Sequence, residues 1–383
     1  MLSSRCISRN ETIIPSLLKQ HDAVLSGSAS TIDLSTADNW HVKEIVLDLL
    51  REMQGDNTEN DLAYASGIGG CPKTRSLLAD LANCHFKPRS LVEPSQIVLA
   101  AGGSFALTAL VEQICDPGDG ILIATPYWAG LDISLSIHGQ TKAIPVHVPL
   151  SEFFTPESIR YYESAAESSP VPITAVLRLD LHYISDEVYA LSAHKPAPEG
   201  LVPFVSILEM CEAEMIKKTH IIYSISKDFG CSGIRVGALI TQNEPVRLSA
   251  ALSLHSQVSS LSTSFASKVL EEESITTICD HGGKQLKVAY EVMTSFFETH
   301  KIEYISGGYG MFVFARLCPI KTFEEEQRLL GHIRSNGVSL SSGTSYHFKE
   351  LGWFRLCYGV TLDQLDEALK RVHRGVCDHL NVA

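Results

Sequence analysis

Between residues 96 and 241 the chain keeps changing its hydrophobic period, and that constrains its fold more than any other feature. Short apolar runs at 96–101, 120–124, 173–177, 183–185 and 220–226 alternate with helical or turn-like stretches. Such alternation predicts an α/β fold with a mostly parallel sheet covered by helices on both faces. Gly102-Gly103 turns the first run into a helix over 104–115, and Asp116-Pro117-Gly118-Asp119 makes the turn into the next strand. Upstream, Val42, Ile45, Val46, Leu49, Leu50 and Met53 recur at helical spacing. Beyond about Ala250 the helices lengthen. A strand is expected at 307–315, a helix at 323–334 ended by Gly337, and a strand at 353–358. The last helix opens on the capping-box pair Thr361 and Gln364 and continues through Leu365, Leu369, Val372, Val376 and Leu380. The proline-rich stretch 195–203 reads as a surface loop.

The bulk properties narrow the function class. A chain of 383 residues suffices for two or three domains, and no run reaches the roughly 18 apolar residues of a membrane span. A net charge of −13 argues against nucleic acid and anionic membranes as partners. Ten cysteines are scattered without a C-x-x-C pair, which suits reduced thiols in a cytoplasmic protein and offers no metal site. The N-terminus lacks the charged start, apolar block and small-residue cleavage site of a secretory signal, and reads as a frayed surface tail.

Chemistry concentrates around Ser224-Ile225-Ser226-Lys227-Asp228-Phe229-Gly230, followed by Gly233, Arg235 and Gly237. A lysine just past a buried strand loses its proton more easily and becomes a nucleophilic amine. Hydroxyls on Ser224 and Ser226 and a guanidinium on Arg235 bring several donors to one anion. The set suits a phosphorylated aldehyde held covalently by the amine. Gly102-Gly103-Ser104, between a strand and a helix, places backbone N–H groups where they can cradle a phosphate. Trp128 has a flat ring to lay against an aromatic ligand, with Tyr127 beside it as a competitor. Asp186-Glu187-Val188-Tyr189 closes an apolar strand, and Arg355 has a planar fork able to hold a carboxylate through two hydrogen bonds.

The lysine segment resembles the cofactor-lysine motif of class-I pyridoxal-phosphate (PLP) aminotransferases, closest to the 1-aminocyclopropane-1-carboxylate (ACC) synthase-like branch. The resemblance extends over residues 33–358. Ile32-Asp33-Leu34 with Ala37-Asp38-Asn39 is similar to the N-terminal active-site segment, with aspartate where glutamate is usual. Tyr64 with Gly67 and Arg75 is similar to the loop whose tyrosine reaches the neighbouring subunit's cofactor phosphate. Ala124-Thr125-Pro126-Tyr127-Trp128 with Gly130 is similar to the Pro-Tyr-Tyr-Pro-Gly segment. Ser341-Ser342-Gly343 and Gly352-Trp353-Phe354-Arg355 resemble the segment that reads the substrate carboxylate.

The resemblance implies fold type I, with pyridoxal 5'-phosphate as cofactor and Lys227 as the catalytic residue. Gly103, Ser104, Ser224, Ser226, Arg235 and Tyr64 would hold the phosphate. Trp128 would lie on the pyridine, Asp186 would face its nitrogen, and Tyr189 would donate to its hydroxyl. Arg355 would hold the substrate carboxylate, while Asp38, with Trp40, lies in the segment expected to line the side-chain pocket. A tyrosine shared across subunits implies a homodimer. The expected division is a tail at 1–31, a segment at 32–60 packing with the small domain, a large PLP-binding domain at 61–250 and a small α+β domain at 251–383.

One departure stands out. The family places an Asn-Pro-containing segment and a helix between two strands of the sheet. Here 173–177 is followed at once by Arg178-Leu179-Asp180-Leu181-His182 and then by the strand leading into Asp186. Five residues cannot make a parallel crossover, which takes about a dozen. The crossover helix is therefore expected to be missing, and residues 173–185 either form one continuous strand or are partly displaced. The leading function is amino-group transfer between an amino acid and a 2-oxo acid, in specialised metabolism. A carbon–sulfur lyase or ACC-synthase-type enzyme, and a degenerate, weakly active homologue, are the alternatives.

Overall fold

A computed structural model describes residues 2–12, 14, 31–53, 58–64, 67–153, 155–175, 181–196, 203–305 and 307–382. In chain order its strands are β1 (Ile32–Asp33), β2 (Ile97–Ala100), β3 (Gly120–Thr125), β4 (Lys142–His147), β5 (Ile173–Ala175), β6 (Tyr183–Asp186) and β7 (Thr219–Ser224). These are followed by β8 (Gly237–Thr241), β9 (Glu303–Ile305), β10 (Phe312–Arg316), β11 (Val338–Ser339), β12 (Ser341–Ser342) and β13 (Trp353–Cys357).

One sheet has the order β2-β8-β7-β6, and β8 alone runs against its neighbours. Its side chains alternate between two cores, as a strand period of two requires. Ile97, Leu99, Ile221, Tyr223, Ala238 and Ile240 meet the helices Pro72–His85 and Ser260–Val269 on one face. Val98, Ala100, Ile222 and Leu239 meet the helices Gly103–Ile114 and Glu244–Ser253 on the other. A second, all-parallel sheet has the order β4-β3-β5. The α/β sandwich is the one expected, although β4 and the helices Pro72–His85 and Ile159–Glu167 carried no clear sequence signal.

A third core surrounds the antiparallel sheet β12-β13-β10-β9 and the helices Glu272–Thr299, Phe323–Ser335 and Leu362–Val382. The N-terminal segment divides between cores. β1 pairs with β11, and Leu34 and Ala37 join the third core, whereas Val42 and Val46 pack beside β2, β7 and β8. The expected strand at 307–315 starts only at Phe312, because Gly310 turns the chain with φ +75°. Nor is the N-terminal stretch frayed throughout: Ser4–Thr12 is helical, and the Arg9 guanidinium donates to Ile137 O at 2.6 Å. Among the described residues no helix is long and apolar enough to cross a membrane.

The connection between β5 and β6 is where the molecule departs from a continuous sheet. Residues 173–185 do not form a single strand. β5 holds β3 through two residue pairs with a register slip between them, while β6 belongs to the other sheet. The His182 N–H reaches Thr174 O at 3.1 Å across the gap. No helix stands between Ala175 and Tyr183 among the described residues, and residues 176–180 fall outside them. Of the loop 195–203, residues 197–202 also fall outside. Its start is turned toward the helix Glu272–Thr299, where Lys195 N donates to Gly283 O at 3.0 Å and the Lys195 ammonium pairs with Asp280.

Candidate active site

β7 ends at Ser224, whose side chain caps a short helical turn, Ile225–Asp228, by accepting from Ser226 N at 3.4 Å. That turn sets Lys227 into a cavity of about 480 Å³ between the large sheet and the antiparallel sheet. The Lys227 ammonium donates to Ala37 O at 2.6 Å and stands 6.0 Å from the centre of the Tyr189 ring. Burial lowers its pKa, an effect the Asp38 carboxylate opposes and the Arg355 guanidinium reinforces. A less basic amine is easier to bring into its reactive, neutral form.

Asp186, at the end of β6, faces the same cavity. Its carboxylate is open to water there yet lies deep among protein atoms. That crowding, reinforced by Glu187 and opposed by a backbone hydrogen bond and by Lys227, pushes its pKa up to about 6. Tyr189 sits one turn further along, edge-on to Phe312 at 5.5 Å, and burial raises its hydroxyl's pKa.

At the other end of the cavity the helix Gly103–Ile114 presents its N-terminus. Gly102 adopts φ +93°, and a Cβ there would stand 2.2 Å from the Arg235 guanidinium, so a glycine is what lets the arginine lie over the helix start. Arg235 itself holds a left-handed backbone, φ +61°, costing on the order of 1 kcal/mol. Its guanidinium is fixed by Ser232 O at 2.7 Å and Ala101 O at 3.0 Å. Together with Ser224, Ser226 and Ser104, this end of the cavity is rich in N–H and O–H donors, which suits a phosphate.

Arg355 comes from β13, directly opposite Phe314 of β10. Its guanidinium lies between the rings of Tyr346 at 5.0 Å and Phe312 at 5.3 Å, and one nitrogen donates to Ser35 O. Its Nε is buried and has no hydrogen-bond partner. The residue lines the cavity, so its planar guanidinium is placed to meet a planar anion such as a substrate carboxylate. The donor-rich end, the amine, the lone carboxylate and this guanidinium fit PLP together with an amino acid.

Trp128, not Tyr127, lines the cavity. Its indole folds over Gly130, where a Cβ would stand 2.2 Å from the ring, while Tyr127 is buried, stacked on His347 at 4.4 Å, and donates to Asp132 at 2.8 Å. Two expected positions lie elsewhere. The Asp38 carboxylate does not line the cavity: Ser232 Oγ donates to it at 3.2 Å and Lys43 pairs with it at 3.0 Å. Trp40, from the same segment, is exposed beneath Lys43. Tyr64 is 91 % exposed and lines a second cavity with Gly67 and Gly70, outside the site of its own chain. Ala37, from the expected N-terminal segment, is on the cavity wall, whereas sequence reasoning missed Ser35, Thr36, Phe312, Phe314 and Tyr346, which line it too. The alternation of Phe312 and Phe314 was a visible signal of one strand face, but its pairing with Arg355 was not.

Comparison with known proteins places this arrangement. The family profile "Aminotransferase class I and II" matches residues 30–157 and 172–372. Probable aminotransferase tcpI of Claviceps purpurea is 46% identical, over 97% of this chain and 95% of its own. The matched length, 404 residues, exceeds the 383 of this chain, so that relative carries stretches with no counterpart here. 1-Aminocyclopropane-1-carboxylate synthase 9 of Arabidopsis thaliana is 30% identical over 83% of this chain and 75% of its own. Among solved structures, aspartate aminotransferase from Thermotoga maritima superposes with a TM-score of 0.75 at 20% identity, covering 99% of this chain and all of that one, a likeness of fold.

Proposed function

This chain belongs to the class I and II aminotransferase family of PLP-dependent transferases, and from that premise we propose that Lys227 carries pyridoxal 5'-phosphate and moves the proton at the reacting carbon. The activity is amino transfer between an amino acid and a 2-oxo acid. The observation that carries the assignment is the convergence of Lys227, Asp186, Tyr189, Arg235 and Arg355 on one cavity.

When bound, the cofactor's ring supplies an electron sink for the substrate's α-carbon. The protein does the rest. The Gly103–Ile114 helix start, Ser224, Ser226 and Arg235 hold the phosphate. Asp186, ionised above about pH 6, holds a proton on the ring nitrogen. Tyr189 and Trp128 line the same cavity and would serve as hydrogen-bond donor and flat apolar contact for the cofactor's ring. Arg355 orients the substrate through its carboxylate, and Lys227, lowered in basicity by burial, takes and returns the α-proton. Tyr64, projecting from the surface, supports a homodimer in which it completes the partner's phosphate site. The ten unpaired cysteines support a cytoplasmic location, and the fungal relative supports a role in specialised metabolism. Borohydride reduction of the cofactor-loaded chain followed by peptide mapping tests the lysine: label on another residue ends the assignment. Keto-acid formation that depends on an added 2-oxo acid tests transfer, whereas ammonia or thiol release without an acceptor would mean elimination.

The split between β5 and β6 favours a second reading, a degenerate homologue that holds its cofactor weakly. Absence of the visible band of the lysine-bound cofactor, after saturation with PLP, would select it.

A further inference from the structure

The cations lining the cavity among the described residues are Lys227, Arg235 and Arg355, and each is accounted for. Arg235 is held at the phosphate end, Lys227 is the reacting amine, and Arg355 has one guanidinium for one carboxylate. The wall beside Arg355 is aromatic. Phe314 shares the sheet face with Arg355 and is stacked on Trp353 at 5.2 Å, while Phe312 and Tyr346 flank the guanidinium. Asp186 is the acid on the wall, and it belongs to the ring end.

The cavity beside Tyr64, which would face a partner's site, has no lysine or arginine among its described lining residues. Those residues of this second cavity, about 600 Å³, include Gly70, His255, Gln257 and Ser260. A second carboxylate on the substrate would therefore be stripped of water against aromatic rings with no partner, and an ammonium side chain would find no acid. A neutral side chain would instead gain ring contacts and lose little water.

Resting on the aminotransferase reading above, we propose that this site takes α-amino acids with a neutral, apolar or aromatic side chain and discriminates against aspartate and glutamate. The discrimination comes from the wall formed by Phe312, Phe314 and Tyr346, with no cation for a second carboxylate among the described residues that line the cavity.

The experiment uses the full chain loaded with PLP at pH 8. The visible cofactor band and the borohydride map of Lys227 are recorded first, since their failure removes the underlying reading and this proposal with it. Calorimetric titrations with 3-phenylpropanoate and with succinate then report binding without turnover. Single-turnover rates for phenylalanine, methionine, aspartate and glutamate report the reaction. The expected result is binding of 3-phenylpropanoate at least about tenfold tighter than succinate. A preference for the neutral amino acids of about a hundredfold or more should accompany it. With the cofactor band intact, equal binding of succinate or faster turnover of either acidic amino acid overturns the proposal.

Discussion

On one wall of the cavity β10 and β13 match over five residue pairs, and Phe314 lies opposite Arg355. The sheet behind Pro126 and Trp128 is held less firmly: β5, which itself lines no part of the cavity, holds β3 through two pairs and a slipped register. The first wall is also braced from behind. Glu326, fully buried, accepts from Thr344 Oγ1 at 2.7 Å and from Gly352 N at 2.9 Å. Those two bonds clamp the segments carrying Tyr346 and Arg355. β5 and β6 lie in different sheets, and among the described residues the link between them is the hydrogen bond from His182 N to Thr174 O. Substrate reading and cofactor holding are thus built to different tolerances in one site. A site can keep its chemistry while losing affinity for its cofactor.

The largest expected effect sharpens that contrast by removing the chemistry itself. Lys227→Ala should lower the rate of keto-acid formation by about 10²–10⁴-fold, with circular dichroism unchanged and no covalent label after borohydride. Next comes the intact wall. Arg355→Leu loses charged hydrogen bonds worth about 1.5–3 kcal/mol, so kcat/KM should fall roughly ten- to hundredfold, mainly through KM. An unchanged KM would mean that Arg355 does not read the carboxylate.

The divided sheet is tested by repair. Inserting an Asn-Pro-containing crossover between Leu177 and Tyr183 should tighten PLP binding, measured as Kd, by about ten- to hundredfold by restoring a donor to the ring hydroxyl. If the unmodified chain already holds PLP stoichiometrically at micromolar concentration, the contrast between the two regions is wrong. Glu326→Ala strands the Gly352 N–H and leaves the Thr344 hydroxyl with Ser342 alone, and should cost about 1–3 kcal/mol, read as a lower denaturation midpoint. A KM that rises with it would show that the brace positions Arg355.

The smallest effect is on pH. Asp186 acts as an anion, and its pKa is pushed up to about 6, so acidification through pH 6 protonates it and weakens its hold on the ring nitrogen. Lys227 must be neutral to react, and acid disfavours that too. Capture of PLP by the cofactor-free chain, followed by absorbance, should therefore slow at least severalfold between pH 7.5 and 5.5: Asp186 alone falls from almost fully to about a quarter ionised, and the loss of neutral Lys227 adds to it. A flat profile would place the ring nitrogen elsewhere.

Sequence alone was enough for the strands around the lysine and for the residues near it, because both are local. Alternation at Ile97–Ala100 and Thr219–Ser224 states which side chains face which core. Ser224, Ser226 and Lys227 share one turn, Arg235 follows eight residues later, and Gly102-Gly103 starts a helix. The missing crossover was equally legible, since a five-residue span between strands is a matter of length. Only the tertiary structure decided what depends on register and on distant pairing. It put Phe312 and Phe314 beside Arg355, and Trp128 rather than Tyr127 on the cavity. It also tied Asp38 to Lys43 and Ser232, away from the substrate space. The sheet divided between β5 and β6 because the shortened connection leaves one strand with β3 and the other with β7. Those outcomes follow from contacts between residues far apart in the chain, whose relative positions no local pattern encodes.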